Sequence, residues 1–208
     1  RAERMTFSLL HDGDPQFPES GLGMPGRYNV LNATAAWACL AELDKRDEGL
    51  QPDVRRALEA LRGFRGIKRR YEIRYAGEDL VVIDDYAHHP QEIEAVIAAT
   101  REQFPGRKIT GVFQPHLYSR TRDFHQAFAT VLSQLDVCIL VELYPAREQP
   151  IPGVSSEMIF ALVQAREKYC VGKTALIEQI VNTDPEILLV MGAGDLDRMI
   201  PNILEALT

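Results

Sequence analysis

Cysteine is scarce in this chain of 208 residues: Cys39, Cys138 and Cys170 stand far apart and form no C-x-x-C pair. That spacing excludes a disulfide framework and a thiolate zinc site, and it fits a reduced, cytoplasmic protein. Long apolar runs are also missing. No stretch approaches the ~18 consecutive apolar residues that a membrane-spanning helix needs, and the opening Arg1-Ala2-Glu3-Arg4 does not read as a signal peptide. Basic residues are in deficit, 23 against 30 acidic, for a net charge of -7. This argues against a generic nucleic-acid or anionic-membrane surface and leaves room for a local basic site only. Two phosphate-binding signatures are absent as well. No G-x-x-x-x-G-K-[ST] occurs, and no G-x-G-x-x-G follows the first strand of the main alternating region, so neither a P-loop nucleotidase nor a dinucleotide oxidoreductase is expected. Val171-Gly172-Lys173-Thr174 imitates the end of a P-loop, yet the rest of the motif is not there.

What is present is an ordinary globular composition, 46% hydrophobic and 25% charged, with no internal repeat and no low-complexity tract. The first 26 residues hold one strand-like run, Met5 to Leu10, followed by many Gly and Pro breakers, so this segment needs another to lean on. From Arg27 to about Arg46 the apolar residues Val30, Leu31, Ala35, Trp37, Ala38, Leu40 and Leu43 recur at helical spacing. A second helix is expected from about Pro52 to Leu61, ending at Gly63. Asn29 and Asn32 fall on one face of the first helix, where they either decorate its start or meet a ligand.

Gly63-Phe64-Arg65-Gly66 reads as a hinge, followed by the basic cluster Lys68-Arg69-Arg70. Beyond it strands and helices alternate. A hairpin is expected over Tyr71 to Tyr75 and Leu80 to Ile83. Helices are expected over 92–103, 121–134, 155–164, 174–181 and 196–207, and strands over 108–113, 137–141, 169–171 and 187–191. This order predicts an α/β fold: a Rossmann-like, mostly parallel sheet with flanking helices, joined by right-handed crossovers.

Ligand groups in such sheets gather at the carboxyl ends of the strands. Here those ends carry Asp84-Asp85-Tyr86-Ala87-His88-His89, then Gln114 to Arg122, then Glu142 to Glu148, and finally Gly192-Ala193-Gly194-Asp195. Four loops so rich in His, Tyr, Arg and carboxylates predict a ligand rim rather than a solvated edge. Arg120 and Arg122 offer planar forks for carboxylate or phosphate oxygens, and Tyr86, Tyr118 and His116 add orienting donors. Gly192 and Gly194 would let backbone N–H groups approach an anion. The expected ligand is anionic and held at several points. No metal site is expected from His88, His89 and His116, which have no Cys nearby and no helical His pair.

The motifs G-R-Y-N-V-L-N-A-T-A-A (26–36), F-R-G-I-K-R-R-Y-E (64–72), D-D-Y-A-H-H-P (84–90), F-Q-P-H-L-Y-S-R-T-R-D (113–123), Y-P-A-R-E-Q-P-I-P-G-V (144–154) and M-G-A-G-D (191–195) resemble the Mur ligases. Among these the likeness is to members that join L-alanine to UDP-N-acetylmuramate by way of an acyl phosphate. The resemblance implies a C-terminal fragment. Residues 1–65 would be the remnant of a central ATPase domain, and 66–208 the Rossmann-like domain that brings the amino acid and closes over ATP. It further implies that Asn29, Asn32, Arg70 and Asp85 are ATP-binding, that Tyr86, His116, Arg120 and Arg122 lie on the L-alanine side, and that His88 and Tyr86 are the catalytic candidates. ATP and Mg2+ are the implied cofactors, with the Mg2+ ligands mostly outside this chain. Close relatives often carry Arg where this chain has Leu117, which leaves the carboxylate clamp to Arg120 and Arg122. Turnover by the fragment alone is not expected. Trp37, Ala38 and Leu40 would expose an apolar patch, through which a dimer could form. Two other readings are a ligase that attaches a tripeptide to the same sugar nucleotide and a non-catalytic module for an anionic metabolite.

Overall fold

The computed structural model describes residues 5–8, 10–11, 14–15, 20–46 and 54–208. The chain divides into two compact units, one of residues 1–66 with 98–105, the other of 67–97 with 106–208.

In the first unit, strand β1 (Met5–Phe7) pairs antiparallel with β4 (Ser20–Leu22), and β2 (Leu10–His11) with β3 (Asp14–Pro15). The expected run from Met5 to Leu10 therefore breaks after Phe7; Leu9 lies outside the described residues. Helix α1 (Arg27–Arg46) has the predicted bounds, and α2 spans Val54–Gly63, ending two residues later than expected. Residues 52 and 53, where the second helix was expected to start, also lie outside the described residues. Leu22, Met24 and Ala33 form a small core with Phe7, Val30 and Leu61 against it. The opposite face of α1 leaves Leu31, Leu40 and Leu43 exposed, while Trp37 is half-buried.

The second unit holds a six-stranded sheet in the order β5-β6-β10-β7-β8-β9. Its strands are β5 (Glu72–Ala76), β6 (Val81–Asp85), β7 (Ile109–Phe113), β8 (Val137–Val141), β9 (Glu167–Val171) and β10 (Ile187–Met191). Only β5 is antiparallel, as the predicted hairpin partner of β6, with a register shift between Ile73 and Tyr75. All other pairs are parallel. Every residue of β6, β7, β8 and β10 is buried, which is why these strands are mostly apolar rather than alternating, the buried Asp84 and Asp85 at the end of β6 being the main exception.

Helices α3 (Pro90–Gln103), α4 (Tyr118–Leu132), α5 (Ser156–Phe160), α6 (Lys173–Asn182) and α7 (Ile200–Leu207) flank the sheet. Leu176 and Ile180 of α6 and Ile203 of α7 pack on Val82, Val112, Ile139, Leu188 and Val190. On the other face Phe113 meets Phe128 of α4 with ring centroids 5.1 Å apart. Three boundaries differ most from the sequence reading. Helix α5 is one short turn and a half instead of ten residues, and α4 starts three residues early at Tyr118. The last helix opens as a 3-10 turn (Leu196–Met199), because Pro201 can occupy only the first turn of the α-helix that follows. Strand β10 lies between β6 and β7, so the crossover direction reverses there, and the loops after β6, β7, β8 and β10 share one rim. Among the described residues no helix is long and apolar enough to cross a membrane.

Candidate functional site

Strand β6 delivers two buried carboxylates to the rim. Asp85 turns back to its own surroundings: its Oδ2 accepts the Tyr71 N–H at 2.7 Å and its Oδ1 the Ala87 N–H at 2.7 Å. Burial raises its pKa against the pull of these two bonds and of Arg70. Asp84 is pushed up from its ordinary 3.8 to about 6 by burial, opposed chiefly by Arg69. The Arg69 Nε lies 3.9 Å from Asp84 Oδ2.

The following turn is set by a helix cap. Glu92, in the first turn of α3, accepts the N–H groups of His88 at 2.9 Å and His89 at 3.1 Å, so the carboxylate satisfies donors that the helix cannot. This holds both imidazoles at fixed places. His88 Nδ1 stands 2.9 Å from the Tyr86 carbonyl, which can only accept, so Nδ1 carries a hydrogen and Nε2 is the nitrogen that faces the rim with a lone pair in the neutral ring. His89 turns away and packs on Phe124 at 4.9 Å.

Strands β7 and β8 supply the facing wall. His116 and Tyr144 form an isolated parallel bridge, and their rings stack at 5.7 Å with planes 12° apart. Arg120, in the first turn of α4, approaches His116 Nδ1 at 3.4 Å. Because guanidinium only donates, Nδ1 is the acceptor and Nε2 bears the hydrogen. Burial, with Arg120 and His88 adding, lowers the His116 pKa. The His88 and His116 rings lie 6.4 Å apart, and Tyr86 meets His88 edge-on at 5.2 Å.

Leu117 starts α4 at φ +74°, a left-handed conformation unusual for a branched side chain. Its carbonyl accepts both N–H and hydroxyl of Thr121, and its N–H donates to the Tyr144 carbonyl. Glu148 accepts from the N–H of Ser119 at 2.8 Å and from its hydroxyl, which ties the loop after β8 to the start of α4.

The loop after β10 has a different explanation from the one expected. Gln114 is wholly buried, accepts the Asp195 N–H at 3.2 Å and donates toward the Glu142 carbonyl at 3.5 Å. A Cβ on Gly194 would lie 2.0 Å from Gln114 Oε1, and one on Gly192 would lie 2.8 Å from the Gln114 carbonyl oxygen. The two glycines make room for this glutamine. Beside them Lys173, the lysine of the false P-loop, holds Asp195 at 2.7 Å and sits 5.4 Å from the Tyr144 ring centre.

Of the residues singled out from sequence, Tyr86, His88, His116 and Arg120 are thus brought together, with Asp85 beneath them. Arg70 is exposed at the same edge, 5.8 Å from the Tyr86 ring. Arg122 is not with them. It is exposed and bound to its neighbour Asp123 at 2.7 Å, two helix positions from Arg120 and so on another side of α4. Asn29 and Asn32 belong to the first unit, where Asn29 is buried and donates to the Pro25 carbonyl at 2.6 Å, and Asn32 is exposed one turn on. Sequence reasoning passed over Arg69 as one of a basic run, and it did not see Gln114 as the centre of the rim. The glycine pair Gly192/Gly194 was the available signal for the second.

A mostly parallel sheet whose switch point carries imidazoles, a phenol and guanidinium groups defines an α/β domain with a polar, cation-bearing rim. The chain belongs to the Mur ligase family: residues 69–194 match the family model described as Mur ligase, glutamate ligase domain. It is 44% identical over 199 residues to the UDP-N-acetylmuramate–L-alanine ligase of Cytophaga hutchinsonii, covering 96% of this chain and 41% of that protein. It is 45% identical over 201 residues to the enzyme of the same name from Porphyromonas gingivalis, covering 96% and 42%. The crystal structure of UDP-N-acetylmuramate-alanine ligase MurC from Thermotoga maritima superposes with a TM-score of 0.74 at 30% identity, over 93% of this chain and 40% of that one. The chain therefore spans about two fifths of the length of these relatives.

Proposed function

We propose that this chain forms the C-terminal part of an ATP-dependent ligase that joins L-alanine to UDP-N-acetylmuramate in cytoplasmic peptidoglycan synthesis. Residues 1–65 are then the end of a central ATPase domain and 66–208 the domain that carries the amino acid. The observation that carries this reading is the cluster of Tyr86, His88, His116 and Arg120 on the rim, 6.4 Å separating the two imidazoles. The names borne by the relatives point to the same reaction.

In that reaction the muramoyl carboxylate takes the γ-phosphoryl group of ATP. The alanine nitrogen then attacks the acyl carbon, a C–N bond forms, the C–O bond to phosphate breaks and the nitrogen gives up a proton. Arg120 is suited to the alanine carboxylate by its planar fork. Holding that end places the amine toward His88, whose unprotonated Nε2 accepts the proton. Neutral His116, with hydrogen on Nε2, donates without adding charge. Tyr86 walls the site. On the nucleotide side Arg70 meets phosphate and Asp85 offers its remaining lone pairs to a ribose hydroxyl; of the first unit's residues, Asn29 and Asn32 are assigned to the base. Among the described residues no group of three or more His, Cys, Asp or Glu is placed to hold a metal ion. The Mg2+ that accompanies ATP is assigned to ligands elsewhere in the ligase.

The test is phosphate release by the full-length ligase with ATP, Mg2+ and UDP-N-acetylmuramate, comparing L-alanine with the tripeptide as acceptor. Release with alanine, and none from this chain alone, is expected. Release with the tripeptide only would move the assignment to the recycling reaction, and none with either would leave a binding module.

A further inference from the structure

Two consecutive arginines at the start of the second unit both approach the Tyr86 ring, at 4.8 Å and 5.8 Å, but differ in burial. Arg70 is exposed. Arg69 is turned inward and held through its two Nη atoms, while its Nε is buried without a hydrogen-bond partner. Its Nη2 donates to the Gly192 carbonyl at 2.6 Å and its Nη1 reaches the Gly194 carbonyl at 3.5 Å. Asp84 lies 3.9 Å from Nε and Asp197 3.6 Å from Nη1. Its guanidinium carbon sits 4.8 Å from the centre of the Tyr86 ring. The backbone is engaged as well: the Arg69 carbonyl accepts the Tyr86 N–H at 2.8 Å, and the Arg69 N–H donates to Glu72 at 3.0 Å. The residue holds this position at φ +57°, a conformation that arginine adopts only where its surroundings fix it.

We infer that Arg69 is a positioning residue: it locks the Tyr86 ring and the Gly192–Asp195 loop into one arrangement, while Arg70 is left free to meet the ligand. The inference rests on the proposed ligase reading only for the ligand that Arg70 meets. Its geometry does not depend on it. An arginine is required because one planar fork must reach two carbonyls and cover a ring at once, and a lysine ammonium can do only one of these. Asp84 keeps the fork in place by balancing its charge within the buried floor. Arg74 Nη1, 4.0 Å from the same carboxylate oxygen, is the other cation there.

The experiment compares Arg69→Met, Arg69→Lys and Arg70→Met. In this chain, NMR spectra read the ring protons of Tyr86 and His88 and the amides of Gly192, Gly194 and Asp195, with the amides of β8 and β9 as the control for folding. Arg69→Met should move all of the rim signals and leave the β8 and β9 amides in place. Arg69→Lys should recover thermal stability but not the rim signals, and Arg70→Met, which removes a cation from beside the Tyr86 ring, should leave the Gly192, Gly194 and Asp195 amides where they are. In the full-length ligase, Arg69→Met should lower kcat roughly tenfold to a hundredfold with the ATP KM nearly unchanged, as expected when reacting groups are misplaced rather than unbound. Arg70→Met should raise the ATP KM instead. Where Arg69→Met does not fold, Arg69→Lys carries the same comparison. Rim signals that stay put in the folded Arg69 variants would overturn the inference, as would equal effects of the two arginines on the ATP KM. A ligase without alanine-dependent turnover whose Arg69 variants still move the rim signals would sink the proposed reaction and leave the positioning role standing.

Discussion

His116 lies flat on Tyr144, ring centroids 5.7 Å apart and planes 12° from parallel, with the Arg120 guanidinium against its other functional atom, Nδ1, at 3.4 Å. One face of the imidazole is therefore covered and one nitrogen is committed. A ligand can meet only Nε2–H.

The first prediction concerns that ring. Burial, and then the positive charge of Arg120, hold its pKa below the ordinary 6.5. In an NMR titration the His116 ring signals should show a midpoint below that of an exposed histidine, and Arg120→Ala should bring the midpoint up. An unchanged midpoint in the variant would show that Arg120 does not act on the ring.

Gly194→Ala should destabilise the second unit. The new Cβ would fall 2.0 Å from Gln114 Oε1, and Gln114 is wholly buried with nowhere to retreat. Forcing a side chain into such a site costs about 1 to 3 kcal/mol. Adding Gln114→Ala should recover part of the loss by removing the obstacle, although it leaves the Asp195 N–H without its acceptor. Urea unfolding of the single and double variants measures this, and strict additivity would contradict it.

Asp84 should make stability depend on pH in an uncommon direction. Its folded pKa, about 6, lies above its ordinary 3.8, so the folded protein holds the proton more tightly than the unfolded chain does. Stability from this group is full below the unfolded value and falls as pH rises through about 4 to 6, by about 3 kcal/mol at most. Asp84→Asn should flatten that part of the profile. Equal slopes in wild type and variant between pH 4 and 6.5 would contradict the assignment.

Leu117 should respond to backbone chemistry more than to side-chain size. At φ +74° a glycine relieves strain and a β-branched residue adds to it. Leu117→Val should cost about 1 to 3 kcal/mol, and Leu117→Gly should be near neutral. Thermal melts of the two variants separate this from a packing role, for which glycine would be the worse of the two.

Much of this was legible in the sequence because each local signal agreed with the fold. The run Leu80 to Ile83 read as a buried strand, and β6 begins one residue into it, at Val81; Pro90 marked the start of the helix after it. The four loaded loops followed from strand order alone. Arg69 and Gln114 were not legible as central groups. Their roles depend on contacts with Gly192 and Gly194, more than a hundred residues and about eighty residues away, and no spacing rule encodes such a meeting. Arg122 shows the same limit in reverse. Its residue type fits an anion, yet two helix positions from Arg120 it faces another way and pairs with Asp123. The start of α4 was placed late because Leu117, as an aliphatic residue, gives no sign of the left-handed turn it makes.

The central claim is that this rim holds an amino-acid carboxylate through Arg120. Its most direct test is the steady-state KM for L-alanine in the full-length ligase carrying Arg120→Ala or Arg122→Ala, at saturating ATP and UDP-N-acetylmuramate. The account predicts that loss of the Arg120 fork raises the alanine KM by about tenfold or more, the scale of a charged hydrogen-bonded contact, while Arg122→Ala leaves it near the wild-type value. An alanine KM that is unmoved by Arg120→Ala, or moved equally by both substitutions, would contradict it.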